Sequence, residues 1–345
     1  MLAITQALID GIHRKDQTGH ALTLSTSYIH TLLKCGNGKD AEALLTTFLE
    51  QPTDFDRGQL LPILARFGND ATAQLLFENC FTADGLKADM PEALLQVMGQ
   101  LRYRPAEDVV RSYALIDNND YYASMYGVFG LLHFSCAGYE QQIEEAIRNT
   151  FDKSLFNEFV PSLVCKLPNR MELLPVLYEH GSSICSTDCN AGILLGFALC
   201  GEQGAGYFRQ ALFNPDWQVY ATGTGTRYWA SVGMAFAGVG FRELYADLQQ
   251  ENDEKALAYK LLVLEGLLDS RLGRVTEPLY IEGAAKRESL TAIYELLYGG
   301  ESANQQTTIL DMAAKAGEEE RFDALEKILQ LKVEEELLLN SIPRF

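Results

Sequence analysis

No stretch of about 18 consecutive apolar residues occurs in this 345-residue chain, so a membrane-spanning helix is not expected. Basic residues are scarce: 28 lysines and arginines stand against 47 acids, a formal charge of −19 at pH 7. Nucleic-acid binders gain affinity when cations displace counterions from phosphates, so this balance argues against a nucleic-acid partner. Catalytic signatures are missing as well. The five histidines (His13, His20, His30, His133 and His180) are scattered, and no H-E-x-x-H, G-x-S-x-G or Walker-type glycine loop is present. Seven cysteines, an odd number, are spread through apolar stretches, which fits small buried side chains kept reduced in a cytoplasm. Cys185 and Cys189 form the one close pair, with His180 and Asp188 nearby, but no second Cys/His pair completes a zinc site. Neither a metal nor a cofactor is expected. The opening MLAITQALIDGIHRKDQ has no basic stretch before its apolar residues and carries Asp10, so a secretion signal is not expected. Its Leu2, Leu8, Ile9 and Ile12 suit an amphipathic first helix.

What the chain does contain is a recurrent break. Gly36, Gly68, Arg102, Ser135, Pro168, Gly201, Gly238, Asp269 and Gly300 are separated by 32, 34, 33, 33, 33, 37, 31 and 31 residues. Each lies between two apolar segments. Leu32 and Leu33, Leu64 and Phe67, and Leu95 and Met98 mark the segment before a break. Leu44 and Leu45, Leu75 and Leu76, and Val109 and Val110 mark the segment after it. Spacings of three and four put such side chains on one helical face. A fixed period of this size signals stacked units, each too small to bury its own apolar face.

The unit read in LLPILARFGNDATAQLLFENCF, an apolar helix, a tight Gly-Asn/Asp turn and a second apolar helix, resembles short HEAT-like repeats of the phycobilisome-lyase type. Ankyrin and tetratricopeptide repeats have similar periods, but their sequence frameworks are absent. The His-Glu pairs of the di-iron hydroxylases built from HEAT repeats are absent too. The resemblance implies an all-α solenoid, a right-handed superhelix of about nine helical hairpins whose concave surface binds protein or nucleic acid. It implies no particular activity. The array is expected over residues 22–315, with a capping helix in 1–21 and a capping helix and tail in 316–345.

Acid is densest at 251–254, 318–320 and 334–336. Such a surface keeps a protein soluble, and it also speeds the approach of a basic partner. The leading expectation is therefore a non-enzymatic protein-interaction scaffold, an inhibitor or immunity-type protein that masks a basic nuclease or nucleic-acid-binding protein. Two other classes stay open: an enzyme on a HEAT-like scaffold (a chromophore lyase or an alkylated-base DNA glycosylase), and an assembly factor or chaperone component.

One segment departs from the period. NPDWQVYATGTGTRYW, residues 214–229, falls in the 37-residue step and holds both tryptophans. Insertions in repeat arrays map to loops, often on the binding face. Trp217, Tyr220, Arg227, Tyr228 and Trp229 are the residue types of interface hot spots, and they form the candidate partner site. Glycines and threonines ahead of a helix start near Arg227 would also suit an anion. The competing reading is a junction whose aromatics pack into the core. A second candidate is the densest basic patch, Arg102, Arg104 and Arg111 with Tyr103, which could meet a carboxylate or phosphate or could neutralise nearby acids.

Overall fold

The computed structural model describes residues 1–18, 26–115, 121–151, 158–183, 187–217, 219, 224–240, 243–244, 247, 250–260, 263 and 267. The chain is mostly helical. The strands among the described residues are β1 (Phe81–Thr82) and β2 (Gly85–Leu86), an antiparallel pair with Phe81 opposite Leu86. The chain divides into two compact units, one spanning Met1–Ala146 and one beginning at Ile147.

In the first unit, α1 (Ala3–Thr18) packs on α2 (Thr26–Cys35) and α3 (Gly38–Glu50). The one-turn α4 (Phe55–Gly58) leads into α5 (Leu61–Phe67) and α6 (Asp70–Cys80). The β pair then precedes α7 (Ala93–Gln100), α8 (Glu107–Leu115) and α9 (Tyr121–Leu131), and α10 (Glu140–Asn149) carries the boundary between the units. The helices that precede a break stack on one another: α2 on α5, α5 on α7, and α7 on α9. Those that follow a break form a second layer, where α3 meets α6. Leu32, Leu64, Leu95 and Met98 are fully buried between the layers, as are Leu44, Leu76 and Val110. Each such side chain contributes about 1.5–3 kcal/mol of burial free energy. Leu75 departs from the sequence expectation: it points outward at 42% exposure, because its neighbour Leu76 takes the core position.

The second unit continues with a 3-10 helix (Val160–Lys166), α11 (Arg170–Ser183), α12 (Thr187–Leu199) and α13 (Glu202–Phe213). A second 3-10 helix (Pro215–Trp217) and α14 (Thr224–Ala237) follow. Here the longer 3-10 helix, α12 and α14 stack in order, and α11 meets α13. Every residue from 189 to 199 of α12 is buried, which explains why this helix is apolar all round.

Seven of the sequence breaks, Gly36, Gly68, Arg102, Ser135, Pro168, Gly201 and Gly238, lie between or directly after helices. Asp269, Gly300 and the segment 316–345 lie outside the described residues. The first two breaks share one geometry. Gly36 N donates to Leu32 O at 2.7 Å and Gly68 N to Leu64 O at 2.8 Å. Asn37 and Asn69 then cap the next helix through side chains that accept from its first turn. A Cβ on either glycine would strike the carbonyl of the preceding turn, so glycine is required for this close approach. Layer contact is equally tight at α7 and α9, where a Cβ on Gly99 would fall on the Gly130 backbone.

Polar bonds tie separate elements together within each unit. Tyr139 Oη donates to Glu107 at 2.7 Å, Arg170 Nε to Gln203 at 2.6 Å, and Asn214 Nδ2 to Tyr178 Oη at 3.1 Å. At the N-terminal end, buried Asp40 accepts from Thr5 Oγ1 at 2.6 Å, Leu2 N at 2.7 Å and Asn37 N at 3.0 Å. Burial opposes ionisation of Asp40, yet these donors outweigh it and hold its pKa below the ordinary value. One carboxylate thus anchors α1 and completes the cap of α3.

Candidate functional site

The structure takes both tryptophans of the sequence-derived candidate site into the core. Trp217 is fully buried, with ring centroids 5.6 Å from Tyr178 and 5.8 Å from Phe197. Gly181 makes the room, since a Cβ there would penetrate the indole. Trp217 O accepts from Asn190 Nδ2 at 3.2 Å, while Trp217 Nε1 and Asn190 Oδ1 are buried without hydrogen-bond partners. Trp229 is 8% exposed and meets Phe159 edge-on at 5.1 Å and Tyr228 at 5.3 Å. Arg227 and Tyr228 are half-buried on the first turns of α14, and Tyr220 lies outside the described residues. The expectation of an exposed aromatic hot spot is therefore corrected for Trp217 and Trp229. Their large apolar areas are already buried within the unit, so they offer no exposed indole to a partner. The helix also begins at Thr224, earlier than the start expected near Arg227.

The arginine patch does not act as one group either. Arg111 pairs with Asp108 at 2.7 Å and lies 4.9 Å over the Tyr139 ring. Arg102 and Arg104 remain exposed, and neither is in an ion pair among the described residues. Arg102 occupies the left-handed region, φ 52°, where it closes α7, with its N–H donating to Gly99 O at 2.8 Å. Its place is set by helix termination. The cysteines are mostly packing groups: burial pushes the Cys80 thiol up to about 11 and that of Cys200 up to about 12. Cys35 departs from the expected burial and is exposed, and Cys185 lies outside the described residues. Among the described residues no group of three or more His, Cys, Asp or Glu side chains could hold a metal ion. No helix among them is long and apolar enough to cross a membrane.

Among the described residues, the most exposed aromatic side chains lie in the first unit, at positions the sequence reading did not single out. Phe55 is 82% exposed at the start of α4, and Tyr122 is 60% exposed on the first turn of α9. Gly58, at the end of α4, faces Pro91 just ahead of α7, 3.6 Å from where a Cβ would stand. Tyr121 meets Tyr122 edge-on at 5.2 Å. Burial raises the Tyr126 phenol, and the negative charge of Glu92 adds to the shift. An isolated aromatic such as Phe55, set between two aspartates, leaves no periodic signal in a sequence. Compared with models of known protein families, with curated proteins and with solved structures, the chain gives no match.

Proposed function

We propose that this chain is a non-enzymatic, cytoplasmic protein-interaction scaffold that masks a basic partner such as a nuclease or nucleic-acid-binding protein. In this reading the two helix layers belong to a right-handed solenoid of about nine HEAT-like hairpins, with 1–21 and 316–345 as caps. The observation that carries it is the charge on the outward side of the second-layer helices. Glu42 and Glu50 on α3, Asp70 and Glu78 on α6, and Asp108 on α8 are all exposed. In the second unit Glu172 and Glu179 on α11 and Glu202 on α13 repeat the theme. Within each unit these exposed acids contribute a negative field, which steers a cationic protein and repels phosphate backbones. Affinity capture from the source cells, read by mass spectrometry, is expected to return a partner with a net positive charge that elutes as salt is raised. Recovery of only acidic or neutral proteins would contradict the proposal.

A further inference from the structure

We propose that, whatever the chain binds, α1 is a detachable strap, a charge-latched helix that opens as one unit while α3, α5 and α7 stay folded. Little of α1 is buried: three of its 16 residues, against six of 13 in α3 and four of seven in α5. One of the three, Thr5, is polar, so Leu8 and Ile12 are the large apolar side chains that α1 withdraws fully from water. Gly11 lies between them in the chain and lowers the helix's own stability. α1 packs on α2 and α3, whereas α5 packs on α2, α3 and α7.

Polar ties hold α1 at its two ends. At the N-terminal end Leu2 N and Thr5 Oγ1 donate to Asp40 of α3, at 2.7 and 2.6 Å. At the C-terminal end Asp16 accepts the Arg57 fork at 2.8 and 3.2 Å, and Lys15 donates to Asp54 at 3.2 Å and to Asp56. His13 Nε2 stands 3.0 Å from Glu50. All these partners lie on α3 or in α4 and its cap. The two kinds of contact respond differently to opening. A released carboxylate or ammonium is rehydrated, so a tie between partly exposed charges costs little to break. Lys15, Asp16 and Glu50 are all partly exposed. An apolar side chain drawn into water regains nothing. Rich in the first kind and poor in the second, α1 opens below the cost of unfolding its unit. Added salt screens the ties and leaves apolar burial in place, so it loosens α1 selectively.

Hydrogen–deuterium exchange of the full chain at neutral pH, read peptide by peptide, separates local from global opening. Peptides of α1 are expected to be protected, yet to exchange at least about tenfold faster than those of α5 and α7 after correction for intrinsic rates. Raising sodium chloride from about 0.05 to about 1 M should widen that ratio about threefold or more, as the screening length falls to about 3 Å. Thr5→Val with Asp16→Asn weakens one tie at each end. It should speed α1 about tenfold or more and leave α5 and α7 within about twofold. Gln17→Ala, exposed near the end of α1, should leave every peptide unchanged. Equal protection of α1 and α5, falling together in the double variant, overturns the strap, because α1 then opens only with the whole unit. A ratio that salt does not change overturns the charge latch, and an α1 without any protection overturns its docking on α3.

Discussion

Trp217→Ala is expected to cost about 3–5 kcal/mol of folding stability, the scale for removing a large buried aromatic. Trp217 is fully buried between Tyr178 and Phe197, and its ring occupies the space left by Gly181. Alanine would leave a cavity beside Tyr178, Phe197 and Gly181, on α11 and α12. Part of the loss is offset because Trp217 Nε1 has no hydrogen-bond partner, so its removal frees a buried donor. Phenylalanine at this site should therefore cost clearly less than alanine. Urea unfolding followed by circular dichroism gives the number. The fluorescence of Trp229, the chain's other tryptophan, reports the same unit independently. A loss under about 1 kcal/mol would place the indole outside the core and return it to the surface site that the sequence suggested.

The second large effect is expected at Arg57, where replacement by leucine should cost about 3 kcal/mol. Its guanidinium is 2% exposed. It donates to Thr47 O at 2.8 Å and forks onto Asp16 at 2.8 and 3.2 Å, joining the ends of α1 and α3 to α4. Leucine would leave the Thr47 carbonyl unpaired. Asp16 and Glu50 keep access to water, at 35% and 45% exposure, so they add little to the penalty. The effect should depend on pH in a defined direction. Arg57 lowers the Asp16 pKa, chiefly by hydrogen bonding. The Asp54 pKa is lowered too, against burial, but mainly by the Arg57 backbone N–H and Lys15, which the leucine variant keeps, so Asp16 carries the difference. A carboxylate with a depressed folded-state pKa stabilises fully above its unfolded value. That stability is lost as pH falls through the folded value. The difference between wild type and Arg57→Leu should thus hold steady near neutrality and shrink below about pH 4. A difference that grows on acidification would contradict the ion-pair account.

The helices and the breaks between them were legible because their signals are local. A glycine before an asparagine cap, as at Gly36 and Gly68, is a short-range instruction that burial elsewhere cannot change. Leucines at helical spacing similarly point to one face, and Leu32, Leu64 and Leu95 are buried as that spacing requires. The helix before Pro168 was less legible, because Val160–Lys166 is a 3-10 helix and does not follow the α-helical spacing. The site was the least legible part. Trp217 looked like an insertion residue because the repeat step lengthens around it. Whether an indole in such a junction turns outward depends on a partner 36 residues away, Gly181, and no pattern around Trp217 reveals that hole. Phe55 gave the opposite error of omission. An aromatic between two aspartates reads as an ordinary loop until the fold shows that its ring is left in solvent.

The central claim is that a negative surface on stacked helices recruits a basic protein and not nucleic acid. It is tested most directly by stopped-flow association of this chain with its captured partner across ionic strength, with duplex DNA measured in parallel. The account predicts an association rate that falls clearly between low and physiological salt, as screening contracts the field to about 8 Å, with no measurable DNA binding at physiological salt. Tight DNA binding with a steep loss on adding salt would contradict it, because that slope requires a cationic groove.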